Sequence, residues 1–169
     1  MSLQSNKPFN NLFQHAYVTN DRERAKAQFE EYGVANFFEM RSIEVNPVGR
    51  PPLTISVALA YYGSLQIEII QPEGGACEIY RNGLPEHGFG VRLHHHGFLM
   101  YDLHEFEALR DAYIARGTAI AMKGSSPRTG NHYFYADTLG ELGHYLEYIY
   151  LSEQGKTIYA GVPQNRPAG

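Results

Sequence analysis

The chain has 169 residues, 43% hydrophobic and 19% charged, with 14 Lys and Arg against 18 Asp and Glu for a formal net charge of -4. This size suits one domain or two small modules around a shared core, and a mildly acidic chain without a basic cluster argues against gripping nucleic-acid backbones or anionic membranes. The single cysteine, Cys77, excludes an internal disulfide, residues 1–11 are polar and lack the apolar core of a signal peptide, and the longest apolar stretch, around 55–62, is far too short to cross a bilayer, so the expected setting is the cytoplasm.

In chain order, His15 opens a strand-like run (HAYVTND) that reaches Asp21. Asp21 is placed to cap a helix, because its carboxylate can accept from the free N–H groups of a first turn. The stretch RERAKAQFEEYG follows, with Ala25, Phe29 and Tyr32 at helical spacing and Gly33 where the helix should end. Strands are expected at about 36–45 and 53–60, separated by turn signals at Asn46-Pro47 and Gly49-Arg50-Pro51-Pro52, and then at Gln66-Ile-Glu-Ile-Ile. A linker from about 71 to 93 carries a short helix near 77–82. His96 then opens a second strand-like run (HGFLMYD) to Asp102, followed by a helix with Phe106, Leu109 and Tyr113 on one face and Gly117 at its end. Strands at about 118–123 and 132–136 precede Tyr-Leu-Glu-Tyr-Ile at 145–149. The Gly- and Pro-bearing segment after Leu151 is expected to be a tail packed on the surface.

Laid on itself, the sequence is a repeat. Each half reads strand, helix, strand, strand, strand. Each opens on a His, reaches a capping Asp six positions later, and closes on a strand with one Glu among apolar residues. The His-to-Glu interval is 53 residues in the first half (His15 to Glu68) and 51 in the second (His96 to Glu147). A carboxylate on a buried strand is costly unless its charge is offset. Pseudo-twofold packing of the halves would bring the four residues together, and two imidazoles with two carboxylates suit one divalent ion of Zn, Ni, Co, Mn or Fe. A competing set uses His94 and His96, two apart and so on one strand face, with His95 pointing the other way and His94 able to serve as an outer partner. His87, His104, His132 and His144 have no repeat partner and are read as surface or packing residues.

At these residues, and in the stretch IEIIQPEGGACEIYRNGLPEHGFGVRLHHHGF and the closing DTLGELGHYLEYIYL, the sequence resembles the vicinal oxygen chelate superfamily of glyoxalases, bleomycin-resistance proteins and dioxygenases. Within it, the linker looks most like the methylmalonyl-CoA epimerase group. The resemblance implies an α+β fold of two βαβββ modules forming an open partial barrel: one glyoxalase-like domain over 12–151, with modules 12–71 and 93–151, linker 72–92 and a tail at 152–169. It also implies metal ligands at His15, Glu68, His96 and Glu147, and a homodimer.

Such a site would take a small-molecule substrate with a carbonyl and an adjacent oxygen, and would move a proton next to that carbonyl as an epimerase, isomerase or lyase does. Glu147 or Glu68 would double as the base, with Glu147 preferred. An extradiol-type dioxygenase and a metal-free small-molecule binding protein are the alternatives. The first would use two His and one carboxylate, and the second lacks the ligand quartet. An epimerase needs a second base, for which Glu39 and Glu44 lie in the right region. A charged substrate tail would call on Arg41, Arg50, Arg92 or Arg128.

Overall fold

The computed structural model describes residues 9–166. The first half runs β1 (Leu12–Thr19), α1 (Arg22–Glu31), β2 (Phe38–Val45), β3 (Leu53–Tyr62) and β4 (Leu65–Gly75). A linker with the one-turn helix α2 (Glu78–Arg81) leads to β5 (Val91–Met100), α3 (Leu103–Ala115), β6 (Ile120–Ser125), β7 (His132–Ala136), the short α4 (Leu139–Leu142) and β8 (Tyr145–Tyr150). The two long helices start where the sequence placed them. Asp21 accepts from the Arg24 N–H at 3.0 Å, and Asp102 accepts from the Glu105 N–H at 2.9 Å. Gly33 and Gly117 end them at φ +89° and +88°, a left-handed backbone that costs glycine little.

The strands form one mixed sheet in the order β2-β3-β4-β1-β5-β8-β7-β6. The order is symmetric about the β1–β5 seam. Each half adds its last strand parallel to its first, β4 on β1 and β8 on β5, and the two first strands meet antiparallel. An antiparallel seam between equivalent strands is what a pseudo-twofold axis requires. The sheet is the curled half-barrel of an α+β, glyoxalase-like fold.

Its two faces are filled differently. On the outer face, α1 packs Ala25 with Ala58, Ile67 and Ile69, and α3 packs Phe106, Leu109 and Tyr113 against Phe98, Phe134 and Tyr148. The inner face buries Ala16, Val57, Leu59, Tyr135 and Tyr145. Here α2 plugs the end where β3 begins, sending Cys77, Ile79 and Tyr80 into the same cluster.

The segment after Leu151 differs from the expected surface tail. It forms α5 (Glu153–Ala160) and β9 (Gln164–Asn165), and β9 pairs parallel with the far end of β3. This arm ties the halves together. At one end, the Ser152 N–H donates to Asn131 Oδ1 at 3.0 Å. At the other, the Asn165 side chain accepts from the Ala35 and Asn36 N–H groups, both at 2.9 Å, and donates to the Asn36 carbonyl at 3.0 Å. The amide side chain of Asn165 thus satisfies backbone groups that no strand partner reaches.

Candidate metal centre

Alternation along a strand decides which side chains share the inner face, and two bulges set that alternation at the seam. Between β1 and β5, Ala16 pairs with His95 and Tyr17 with Leu93, which leaves His94 as the extra residue. Leu12 pairs with Phe98 and Gln14 with Gly97, which leaves Phe13 as the extra residue on β1. The bulges are equivalent in the two halves. They turn His94 and His95 inward together, and likewise Phe13 and Gln14.

Glu68 lies opposite Ala16, and Glu147 lies opposite Gly97, so both carboxylates rise on the inner face beside His95. His95 Nε2 is 2.9 Å from Glu147 Oε2, 3.4 Å from Glu68 Oε2 and 3.2 Å from Gln14 Oε1. His95 is fully buried, and the side chains of Glu68 and Glu147 are 15% and 9% exposed. The three titratable groups can each turn one donor atom to within 4.8 Å of the others.

The expected quartet is therefore not brought together as read from the sequence. Glu68 and Glu147 converge, but His15 and His96 do not join them. These two pair across the seam on the outer face, their rings stacked at 4.6 Å, and His96 also packs on His144 at 4.3 Å. Burial, and then the neighbouring His144, push His15 down, and the same causes with His15 and His95 bring His96 down to about 4. The internal alignment holds, since His15 matches His96 across the pseudo-axis, but the inward positions lie one residue earlier, at Gln14 and His95. A one-residue slip along a strand exchanges its faces. The competing reading is reversed as well: His95 faces the carboxylates and His94 stands behind it. The missed residues are Gln14 and His95, and the available signal was the Gln14-His15 pair set against His95-His96.

The surroundings fix the donors. His95 Nδ1 is 2.8 Å from His94 Nδ1, and His94 Nε2 is 2.9 Å from the Ile79 carbonyl. The carbonyl can only accept, so His94 donates from Nε2 and accepts at Nδ1 from His95. That leaves His95 Nε2 to face the carboxylates. In the first half, Gln14 Nε2 donates to Gln66 Oε1 at 2.7 Å, which turns Gln14 Oε1 toward His95. Burial pulls His95 down, but the Glu147 and Glu68 carboxylates override it and hold the imidazole at about 9. Burial raises Glu68, against the pull of His95. Burial, with the charge of His95, holds His94 down at about 3, so it is neutral.

The donor set fits a divalent ion. Donors about 2.1 Å from an ion, in adjacent coordination positions, lie roughly 3 Å apart, close to the 2.9 to 3.4 Å found around His95 Nε2. Two carboxylates would neutralise a 2+ charge. Above them opens a chamber of about 270 Å³ whose floor includes Gln14, Glu68 and Glu147. Phe38, Leu59 and Ile149 wall it, and α5 covers it with Ile158 and Tyr159. Of the residues weighed as a second base, Glu44 lines the chamber, whereas Glu39 is bound to Lys26, Arg22 and Arg41. Of the four arginines, Arg128 lines it.

The profile of the Glyoxalase/Bleomycin resistance protein/Dioxygenase superfamily matches residues 13–135. No curated protein matches the chain in sequence. Among solved structures, methylmalonyl-CoA epimerase from Mycobacterium tuberculosis is similar at TM-score 0.53 and 10% identity, over 89% of this chain and 92% of that one. The Streptomyces coelicolor methylmalonyl-CoA epimerase in complex with 2-nitronate-propionyl-CoA matches at 0.53 and 13% identity, over 84% and 97%. A hypothetical protein from Bacillus halodurans matches at 0.56 and 13% identity, over 85% and 95%. At these identities the likeness is one of fold.

Proposed function

The chain belongs to the glyoxalase/bleomycin resistance/dioxygenase superfamily, and from that premise we propose that it is a divalent-metal-dependent enzyme that moves a proton next to a carbonyl, in the manner of an epimerase, isomerase or lyase. The observation that carries the reading is the convergence of Glu68 and Glu147, which line an apolar chamber, on the fully buried His95. Gln14, Glu68, His95 and Glu147 would hold the ion. When bound, it supplies Lewis-acid pull on a carbonyl and a counter-charge for the oxygen that becomes negative.

The protein's own groups do the rest. His95 and Glu147, the tightest pair at 2.9 Å, are the firm anchors. Glu68 stands farther from His95, is more open to the chamber, and is kept basic by burial. It is the better proton carrier, in place of the Glu147 that the sequence favoured. The apolar walls exclude water from the exchanging C–H. One imidazole with two carboxylates is not the two-His, one-carboxylate set of oxygen-activating iron sites, which disfavours the dioxygenase reading. The neighbours named as epimerases support a small acyl thioester as substrate, with the lactoylglutathione-lyase type of reaction as the second member of the same chemistry.

The test is solvent deuterium incorporation into 2-substituted acyl thioesters and hemithioacetals, by protein loaded in turn with Zn, Ni, Co and Mn. Exchange that depends on the ion is expected. Protein that binds none of these ions, or that binds them and exchanges no substrate proton, refutes the proposal.

A further inference from the structure

The arm formed by α5 and β9 lies outside the two repeated modules, yet it places one polar group in the chamber. Tyr159, on the last turn of α5, lines the cavity together with Glu68, Glu147 and Gln14. Its ring stacks on Phe13 at 5.9 Å, and Phe13 is the bulge residue next to Gln14. The ring is therefore held from behind by the same irregularity that turns Gln14 inward. On the inner face, the Tyr80 and Tyr135 hydroxyls lie 3.3 Å apart and serve each other, while Tyr133, which also lines the chamber, has a buried hydroxyl without a partner among the described residues. The Tyr159 hydroxyl makes no hydrogen bond within the described residues. A phenol bordering a cavity without a protein partner is placed to meet a ligand.

The arm that carries it is fixed at both ends. Gly155 packs so closely on Asn131 that an added Cβ would lie 2.1 Å from Asn131 Oδ1, and Asn165 is bound to the backbone of Asn36 and Tyr61. Tyr159 is thus presented by a braced element rather than by a loose end.

We propose that Tyr159 contacts the ligand, donating a hydrogen bond from its hydroxyl to a negatively charged oxygen of the molecule bound over Glu68 and Glu147. This rests on the ligand site of the preceding section and adds a donor that the repeat does not supply. A phenol keeps its proton across the neutral range, so the hydroxyl is a donor there.

The probe is oxalate, a planar dianion with vicinal oxygens, titrated calorimetrically into wild type and Tyr159→Phe, each with Mn(II) and without it. The variant keeps the ring and its stacking on Phe13. We expect Mn(II) affinity to be unchanged in Tyr159→Phe and oxalate binding to weaken about tenfold or more, the usual scale for losing a hydrogen bond to a charged group. Equal oxalate affinity in the two proteins overturns the role of Tyr159, as does a wild type that binds oxalate in neither form. Wild type that takes up no Mn(II) refutes the metal reading instead, and the comparison without metal then decides on Tyr159 alone.

Discussion

Replacing His95 with alanine separates the inner face of the seam from the outer one. The substitution removes a donor that lies 2.9 Å from Glu147 and 3.4 Å from Glu68. Loss of an outer partner of a metal ligand costs 10- to 100-fold in affinity, so loss of a direct donor should cost at least about 100-fold, roughly 2.7 kcal/mol. The ion-free protein should suffer too, because His95 supplies the proton that the two carboxylates share. Breaking a buried pair by removing one partner costs about 3–5 kcal/mol. The lower end applies here, since both carboxylates border the chamber and can be protonated instead. For a chain of this length, about 3 kcal/mol corresponds to a fall in Tm of roughly 6–12 °C. His96→Ala should behave differently, losing only ring stacking worth roughly 0.5–1.5 kcal/mol and leaving ion affinity intact. Isothermal titration with Mn(II) or Ni(II), paired with ion-free thermal melts, reads both effects. The reasoning is refuted if His95→Ala binds the ion like wild type, or if His15→Ala or His96→Ala loses it.

Glu68→Gln should abolish solvent proton exchange while weakening ion binding less than Glu147→Gln does; equal loss of ion affinity in the two variants would remove the division of labour between them. Gly155→Ala should cost roughly 1–3 kcal/mol through its clash with Asn131 and should speed proteolysis within 152–166; an unchanged melt and digestion pattern would show that the arm is not braced there. Lys26, to which Glu39 is hydrogen bonded, and then the charges of Lys26 and Arg22, hold Glu39 below its ordinary value of 4.5. Its contribution to stability is therefore fully present above that value and is lost as the pH falls through the lower, folded value. Glu39→Gln should flatten that part of the acid limb in urea melts by about 1 kcal/mol or less, because the cluster is partly exposed; an unaltered acid limb would refute the assignment.

The sheet was legible because its rules are local. Capping by Asp21 and Asp102, helix endings at Gly33 and Gly117, and strand runs around Glu68 and Glu147 each follow from a few neighbouring residues, and their recurrence gave the pseudo-symmetry. The carboxylates were legible for the same reason, since a Glu among Ile, Leu and Tyr on a strand is conspicuous. The nitrogen donor was not. Which of His94, His95 and His96 turns inward depends on the bulge between β1 and β5, and a bulge is a property of two paired strands rather than of either sequence. Strict alternation put His94 and His96 on one face. The extra residue on β5 breaks that alternation and sends His94 and His95 inward, with His96 outward. Gln14 was passed over because an amide is a weaker signal of metal chemistry than the imidazole beside it. Tyr159 lies outside the repeat altogether, and nothing in 152–169 announces an element that crosses the chamber.

Each half gives the site two inward positions, and the halves have diverged at one of them, Gln14 against His95. The second module contributes an imidazole and a carboxylate 2.9 Å apart, with His95 locked from behind by His94 and the Ile79 carbonyl. The first module contributes a neutral amide and the carboxylate farther from His95. In the proposed site, charge balance needs only the two carboxylates. Changing one inward imidazole for Gln14 therefore leaves the ion's charge matched and weakens its hold on one side only. A symmetric set of two His and two Glu would give the two carboxylates like surroundings, with nothing to distinguish the base from the anchor. In the proposed site the asymmetric set would give Glu68 the weaker hold on the ion, and burial raises the Glu68 carboxyl above its ordinary value. On this account, Gln14→His should tighten ion binding and slow exchange together. Tighter binding with undiminished exchange would mean that the proton passes through a different group.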